Sequence, residues 1–186
     1  MIDLAACSDG ELAALAIGGR QTAYRALMDR HRAAVFRMAR GQTGSDDAAL
    51  DITQQSFIAA FAALKRYDGE RPFRHWIARI ALNKCRDFAR RQKVRALFSF
   101  VLPEKDGHDV PDGAADAERA LEGRQELARV MTAVADLPSR LREVLVLRTI
   151  EEMSQAETAQ VLGVSEKAVE TRLYRARAKL SELLRD

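Results

Sequence analysis

The stretch SQAETAQVLGVSEKAVETRLYRARAKL, residues 154–180, decides the fold. Ser154 and Glu157 stand at the spacing that lets each satisfy the other's free backbone donors at a helix start. Ala159 is small enough for a second helix to cross closely, and Gly163 can take the left-handed conformation that ends the first. Val164 then plugs the core, and Ser165 caps a second helix whose Val169 and Leu173 face inward. Together these features predict a helix-turn-helix. A solvated amphipathic hairpin is the competing reading, but Ala, Gly and Ser fall together at the spacing the tight turn needs. The outer positions Ser165, Glu166, Lys167, Glu170, Thr171, Arg172, Arg175 and Arg177 are candidate duplex DNA contacts. The arginines and Lys179 suit phosphates, and the early polar residues are placed to reach base edges.

Working outward, three- and four-residue apolar spacing recurs nearly everywhere, while alternating β-branched and aromatic runs are absent, so an all-α chain is expected. A first helix opens on Ser8 with Glu11 and ends at Gly18 and Gly19. A second carries Tyr24, Leu27, Met28, His31, Val35 and Met38 on one stripe and is broken by Gly41 to Gly44. A third starts near Asp46 and Asp47 and is expected to bury Leu50, Phe57, Phe61 and Leu64. A fourth starts near Phe73 and presents Phe73, Trp76, Ile77, Ile80, Ala81 and Phe88 inward. Pro103, Gly107, Pro111 and Gly113 among acids read as a flexible linker, and helical periodicity returns from Ala117. The chain of 186 residues is thus expected to form two small helical domains, 1–95 and 117–186, joined by a flexible acidic linker at 96–116.

The net charge of +3 is modest, but its distribution is segregated. Lys65 to Arg95 holds eleven Lys or Arg against three acids, and Glu104 to Glu126 holds eight acids against three bases. On the fourth helix Arg79, Asn83, Arg86 and Arg90 recur on one polar stripe opposite the aromatic face. A solvated basic face is the plain alternative. An Asn within an Arg row, however, offers a base both a donor and an acceptor, and the loop with Tyr67, Arg71 and Phe73 is placed to hold an unstacked nucleotide. Trp76 and His31 read as packing residues, and His75 as a contact to nucleic acid or water.

Cys7 and Cys85 stand far apart without metal-ligand spacing, so no metal site is expected. Nor is a cofactor or a catalytic residue, since no paired carboxylates, nucleophile with base, or phosphate-binding glycine loop is present. No apolar run nears bilayer length and the start lacks a signal-like segment, which reads as a cytoplasmic protein without membrane insertion.

With these residues in view, the chain resembles an extracytoplasmic-function (ECF) sigma factor of the sigma-70 family. DITQQSFIAAF (51–61) resembles the helix that grips core RNA polymerase, FRHWIARIALNKCRDFARR (73–91) the -10 recognition and melting helix, and residues 137–180 the -35 recognition domain. The resemblance implies a polymerase-binding face at Asp51, Gln54 and Gln55, single-strand -10 contacts along the Arg79–Arg90 stripe with Asn83 at its centre, and -35 duplex contacts on the last helix. It also implies an anti-sigma factor that keeps the protein silent. Gln55 stands where the family often has Glu, Glu152 replaces a frequent Gly, and Ala168 and Glu170 stand where Thr and Lys are common. A free-standing helix-turn-helix regulator and a helical protein adaptor are the alternatives from other classes.

Overall fold

The computed structural model describes residues 3–98 and 117–185, with side chains for 3–96 and 125–185. Four helices come first: α1 (Asp9–Ile17), α2 (Gln21–Thr43), α3 (Asp46–Ala62) and, after a 3-10 turn at Leu64–Arg66, α4 (Phe73–Phe98). Four follow: α5 (Ala117–Asp136), α6 (Ser139–Leu145), running on through a π-turn at Val146–Ile150, α7 (Gln155–Leu162) and α8 (Glu166–Leu183). No strand occurs among the described residues, as the all-α expectation requires. The expected linker at 96–116 lies outside the described residues except where α4 runs on to Phe98.

Serine hydroxyls set the helix starts. Ser8, Ser45, Ser154 and Ser165 each accept a hydrogen bond from the backbone N–H three residues on, relieving donors with no partner within the helix. The second helix ends within the expected Gly41–Gly44 break, running on to Thr43 and stopping at Gly44, whose φ of 71° is left-handed. Gly41 serves another purpose, because a Cβ there would lie 2.9 Å from Val146 Cγ2 and 3.1 Å from Ile150 Cδ1. Its bare backbone lets the π-turn pack directly on α2. Leu50, expected in the core, is 59% exposed, because the inward stripe of α3 runs through Ala49, Ile52, Phe57 and Ala60, one position out of phase with it.

The two halves share one apolar interior. Leu27, Val35, Met38, Phe73 and Ile77 from the first half join Leu145, Val146, Leu147, Met153 and Val161 from the second in a continuous buried cluster. α7 lies along α4, while the π-turn, α5 and α6 lie against α2. A smaller cluster of Val144, Ala159 and Val169, with Val164 and Leu173 at its edge, holds the helix-turn-helix together.

Glu152 is the one non-glycine residue with positive φ (52°) among those described. A side chain there crowds the following carbonyl, at a cost of roughly 1–2 kcal/mol. Glu152→Gly removes that clash but loosens the unfolded chain, so a net stabilisation of about 1 kcal/mol is expected in urea denaturation. No change, or a loss, would show that the left-handed turn is not strained.

Candidate nucleic-acid interface

Local chemistry builds the helix-turn-helix as the spacing predicts. The Ser154 N–H donates to Glu157 Oε2 at 2.6 Å, and the Glu157 N–H donates back to Ser154 Oγ at 3.1 Å. Gly163, at φ 66° and ψ 41°, closes α7 by donating its N–H to the Ala159 carbonyl. The backbone and hydroxyl of Ser154, with a smaller contribution from His75, hold the Glu157 carboxyl down to about 2. A carboxyl depressed in the folded state stabilises above its unfolded value and loses that contribution as pH falls through the folded value. Ser154→Ala should cost about 1 kcal/mol near neutrality, and the deficit relative to the parent should shrink between about pH 4.5 and 2. Thermal melts across that range measure it; a deficit that does not change with pH would remove Glu157 from the account.

On α8, Val169 and Ala176 face the interior, so the opposite face centres on Lys167, Thr171, Tyr174 and Ala178. Lys167 Nζ pairs with Glu170 Oε2 at 2.8 Å, and Thr171 Oγ1 donates to the Lys167 carbonyl at 2.9 Å. Ser165 is the helix cap, Glu166, Arg175 and Arg177 are exposed on the flanks, and Arg172 is half-buried rather than free. Sequence reasoning missed Tyr174. At 76% exposure it stands in the middle of the outward face, and its position three and four residues beyond Thr171 and Glu170 was the available signal.

The basic stripe on α4 forms as predicted, but each member already has a partner. Arg79 Nη2 donates to the Gln160 carbonyl at 2.6 Å. Arg86 holds Glu143 through two bonds of 2.7 and 2.8 Å and also donates to Asn83 Oδ1 at 3.0 Å. Arg90 pairs with Asp87 at 3.0 Å. The Glu143 contact raises the Arg86 guanidinium above its ordinary value. His75, read from sequence as a contact to nucleic acid or water, instead meets Glu157 Oε1 at 3.1 Å. Glu151, only 4% exposed, lies between Arg37 (3.4 Å) and Arg74 (4.0 Å); burial raises its pKa, and the two arginines oppose that rise.

Beside the stripe, a cleft of about 720 Å³ is lined by Arg66, Tyr67, Arg71, His75, Trp76 and Arg79, with Gln160 on its far wall. Phe73 is wholly buried beneath it and cannot stack on a base, whereas Tyr67 and Trp76, 5.2 Å apart, are half-buried and reach it. On α3, Asp51 and Gln54 are exposed, and Gln55 Nε2 donates to Asp51 Oδ2 at 2.8 Å. Leu50 and Ile58, 59% and 62% exposed, flank them. Burial pushes the Cys85 thiol up to about 12, and Cys7 is also a free thiol.

Residues 27–95 match the family model for Sigma-70 region 2, and residues 127–180 that for Sigma-70, region 4. The two regions in this order, the second built on a helix-turn-helix, define a DNA-binding transcription initiation factor. The chain belongs to the ECF sigma factors of the sigma-70 family. It is 43% identical over 181 residues to the RNA polymerase sigma factor CnrH of Cupriavidus metallidurans, with 95% of this chain and 94% of that protein aligned. It is 32% identical to the ECF RNA polymerase sigma factor SigM of Mycobacterium tuberculosis, over 95% of this chain and 85% of the relative. Among solved structures it is similar to CnrH in complex with the cytosolic domain of CnrY, with TM-score 0.71 and 40% identity over 95% of this chain and 96% of that one. The sigma factor RpoE, in complex with the anti-sigma factor NepR from Bartonella quintana, shares the fold at TM-score 0.67 and 21% identity, covering 85% of this chain and 94% of that one.

Proposed function

We propose that residues 1–95 bind core RNA polymerase and the single-stranded -10 element, that 96–116 connect, and that 117–186 bind -35 duplex DNA. The polymerase face centres on Asp51, Gln54 and Gln55 and takes in Leu50 and Ile58. Two large aliphatic side chains left in water beside polar groups suit a surface that is covered in an assembly. Arg79, Asn83, Arg86 and Arg90 take the -10 strand, with the Tyr67–Trp76 cleft beside them to receive an unstacked base. Ser165, Glu166, Lys167, Glu170, Thr171, Arg172, Arg175 and Arg177, joined by Tyr174, read the -35 element.

Binding energy rather than bond chemistry opens the duplex, since extruding a base costs only a few kcal/mol. The protein is therefore not an enzyme in this reading. Its place is the cytoplasm, which is consistent with there being no helix among the described residues long and apolar enough to cross a membrane. An anti-sigma factor holds it silent; the solved complex of the similar CnrH with the cytosolic domain of CnrY supports that control.

The single observation that carries this reading is the helix-turn-helix with Arg175 and Arg177 exposed on α8, packed through α7 on a helix with its own basic stripe. The experiment is transcription by core polymerase with and without the purified protein on a genomic template library. Promoter-dependent transcripts that need both components are expected. Their absence, with tight duplex binding by the protein alone, would instead favour a free-standing regulator.

A further inference from the structure

The start of α1 meets the loop between the 3-10 turn and α4 with backbone against backbone. A Cβ on Gly10 would lie 2.5 Å from the Gly69 carbonyl oxygen and 3.2 Å from its carbon, closer than a side chain tolerates. A Cβ on Gly69 would meet Gly10 Cα at 3.6 Å, an ordinary contact. Glycine is therefore required at position 10 and not at position 69. Helix propensity gives no reason for it, because Gly10 is the second residue of α1, where alanine is the better helix former. Behind Gly10 the start of α1 is fixed to α2. Arg30 Nη1 donates to Asp9 Oδ1 at 3.0 Å, His31 Nε2 meets Asp9 Oδ2 at 2.8 Å, and Arg30 also donates to the Leu4, Ala5 and Cys7 carbonyls. Leu12, Ala13 and Ala16 bury the rest of the helix.

The loop that Gly10 supports is knit to itself. The Tyr67 O–H donates to the Arg71 carbonyl, the Arg71 N–H to the Asp68 carbonyl at 3.0 Å, and the Glu70 N–H to Asp68 Oδ1 at 3.2 Å. Arg71 Nε pairs with Asp68 Oδ2 at 3.0 Å. Gly69 lies inside this knot, and Tyr67 and Arg71 at its ends line the cleft together with Trp76 and Arg79. We propose that Gly10 is a positioning residue for base capture: its bare Cα seats the Gly69 carbonyl, so that α1 sets how the 67–71 loop stands against Trp76. This rests on the reading of the Tyr67–Trp76 cleft as the place that receives an unstacked -10 base. A methyl group at Gly10 pushes the Gly69 carbonyl away and carries Tyr67 and Arg71 with it. The base then loses one of its two aromatic neighbours, although every side chain that touches it is still present.

Trp76 is the chain's one tryptophan, so its emission reads the cleft directly. In the full chain, Gly10→Ala should make Trp76 more accessible to quenching by acrylamide, and Gly69→Ala should have the smaller effect. The functional reading uses the full chain with core polymerase on a promoter recovered from the genomic library, remade with single abasic sites along the non-template -10 element. The parent is expected to lose about tenfold in transcription at the position whose base enters the cleft. Gly10→Ala should be about tenfold weaker on the intact promoter and lose little more at that position, because the two changes remove one contact. A mere loss of folded protein would lower every template alike and leave the abasic penalty in place. Greater quenching with the parent's abasic penalty retained overturns the positioning role and leaves the cleft reading intact. An abasic scan with no sensitive position in the parent overturns the cleft reading itself, and the positioning role with it. Unchanged quenching in Gly10→Ala, or equal effects from Gly10→Ala and Gly69→Ala, overturns the seating of the loop on α1. Asp9→Asn, which frees the start of α1 from Arg30 and His31 without adding volume, supplies the same readings should Gly10→Ala fail to fold by circular dichroism.

Discussion

Phe73→Ala is expected to cost about 3–5 kcal/mol, the largest stability loss from any single truncation proposed for this chain. Phe73 opens α4, is wholly buried, and packs its ring against His31, Tyr67 and Trp76 at centroid distances of 5.0, 5.2 and 5.4 Å. Truncation leaves a cavity where three elements meet: α2 through His31, the loop through Tyr67, and α4 itself. A small domain is stable by only about 5–15 kcal/mol in all, so such a loss takes much of the margin. Urea denaturation measures it, with Phe73→Leu as the volume-keeping control. A loss below about 1 kcal/mol would mean that the aromatic cluster does not organise the start of α4.

The second large effect is functional. Arg175→Glu is expected to lower promoter-dependent transcription about 10–100-fold, because a cation beside the DNA becomes a repelling anion. Arg175 is exposed on the flank of the outward face of α8, next to Tyr174, and no part of the core depends on it. The melting temperature should therefore hold while duplex affinity falls and its salt dependence becomes shallower. Tyr174→Ala separates the two kinds of contact, since losing an uncharged ring should weaken binding with no change in the salt slope. Unchanged transcription in Arg175→Glu would place the duplex on another face of the helix.

What could be read from the sequence follows interaction range. The capping boxes at Ser8 and Ser154, the left-handed Gly163 and the stripe on α4 arise within a few residues of chain, and each formed as its spacing predicts. The contacts between the two halves did not announce themselves, because Arg86 and Glu143 are 57 positions apart and Arg74 and Glu151 are 77. Neither partner carries a local mark of the other. The Gly41–Gly44 break was met at Gly44, but the role of Gly41 inside the helix was hidden for the same reason, since only the distant Val146 and Ile150 explain it. Leu50 was assigned to the core on apolar character alone, whereas the phase of Ala49, Ile52 and Phe57 along α3 puts it in water. Glu152 shows the converse case. Its departure from the family's frequent Gly was visible in the sequence, and the physical reason appears only in its positive φ.

Cys85 gives the first half its own clock. Its thiol lines the cleft where Arg86, Arg142 and Glu143 meet, is 6% exposed, and is held near 12 against an ordinary value of 9.0. Thiolate is the reacting form, so near neutral pH the buried group alkylates far more slowly than a free one. Ala39, Ala49 and Ile52, with Phe36 and Phe88 beside them, enclose it from within the first half. The rate at which Cys85 takes up a thiol reagent therefore reports how often α2, α3 and α4 come apart, without a dye, a partner or a promoter.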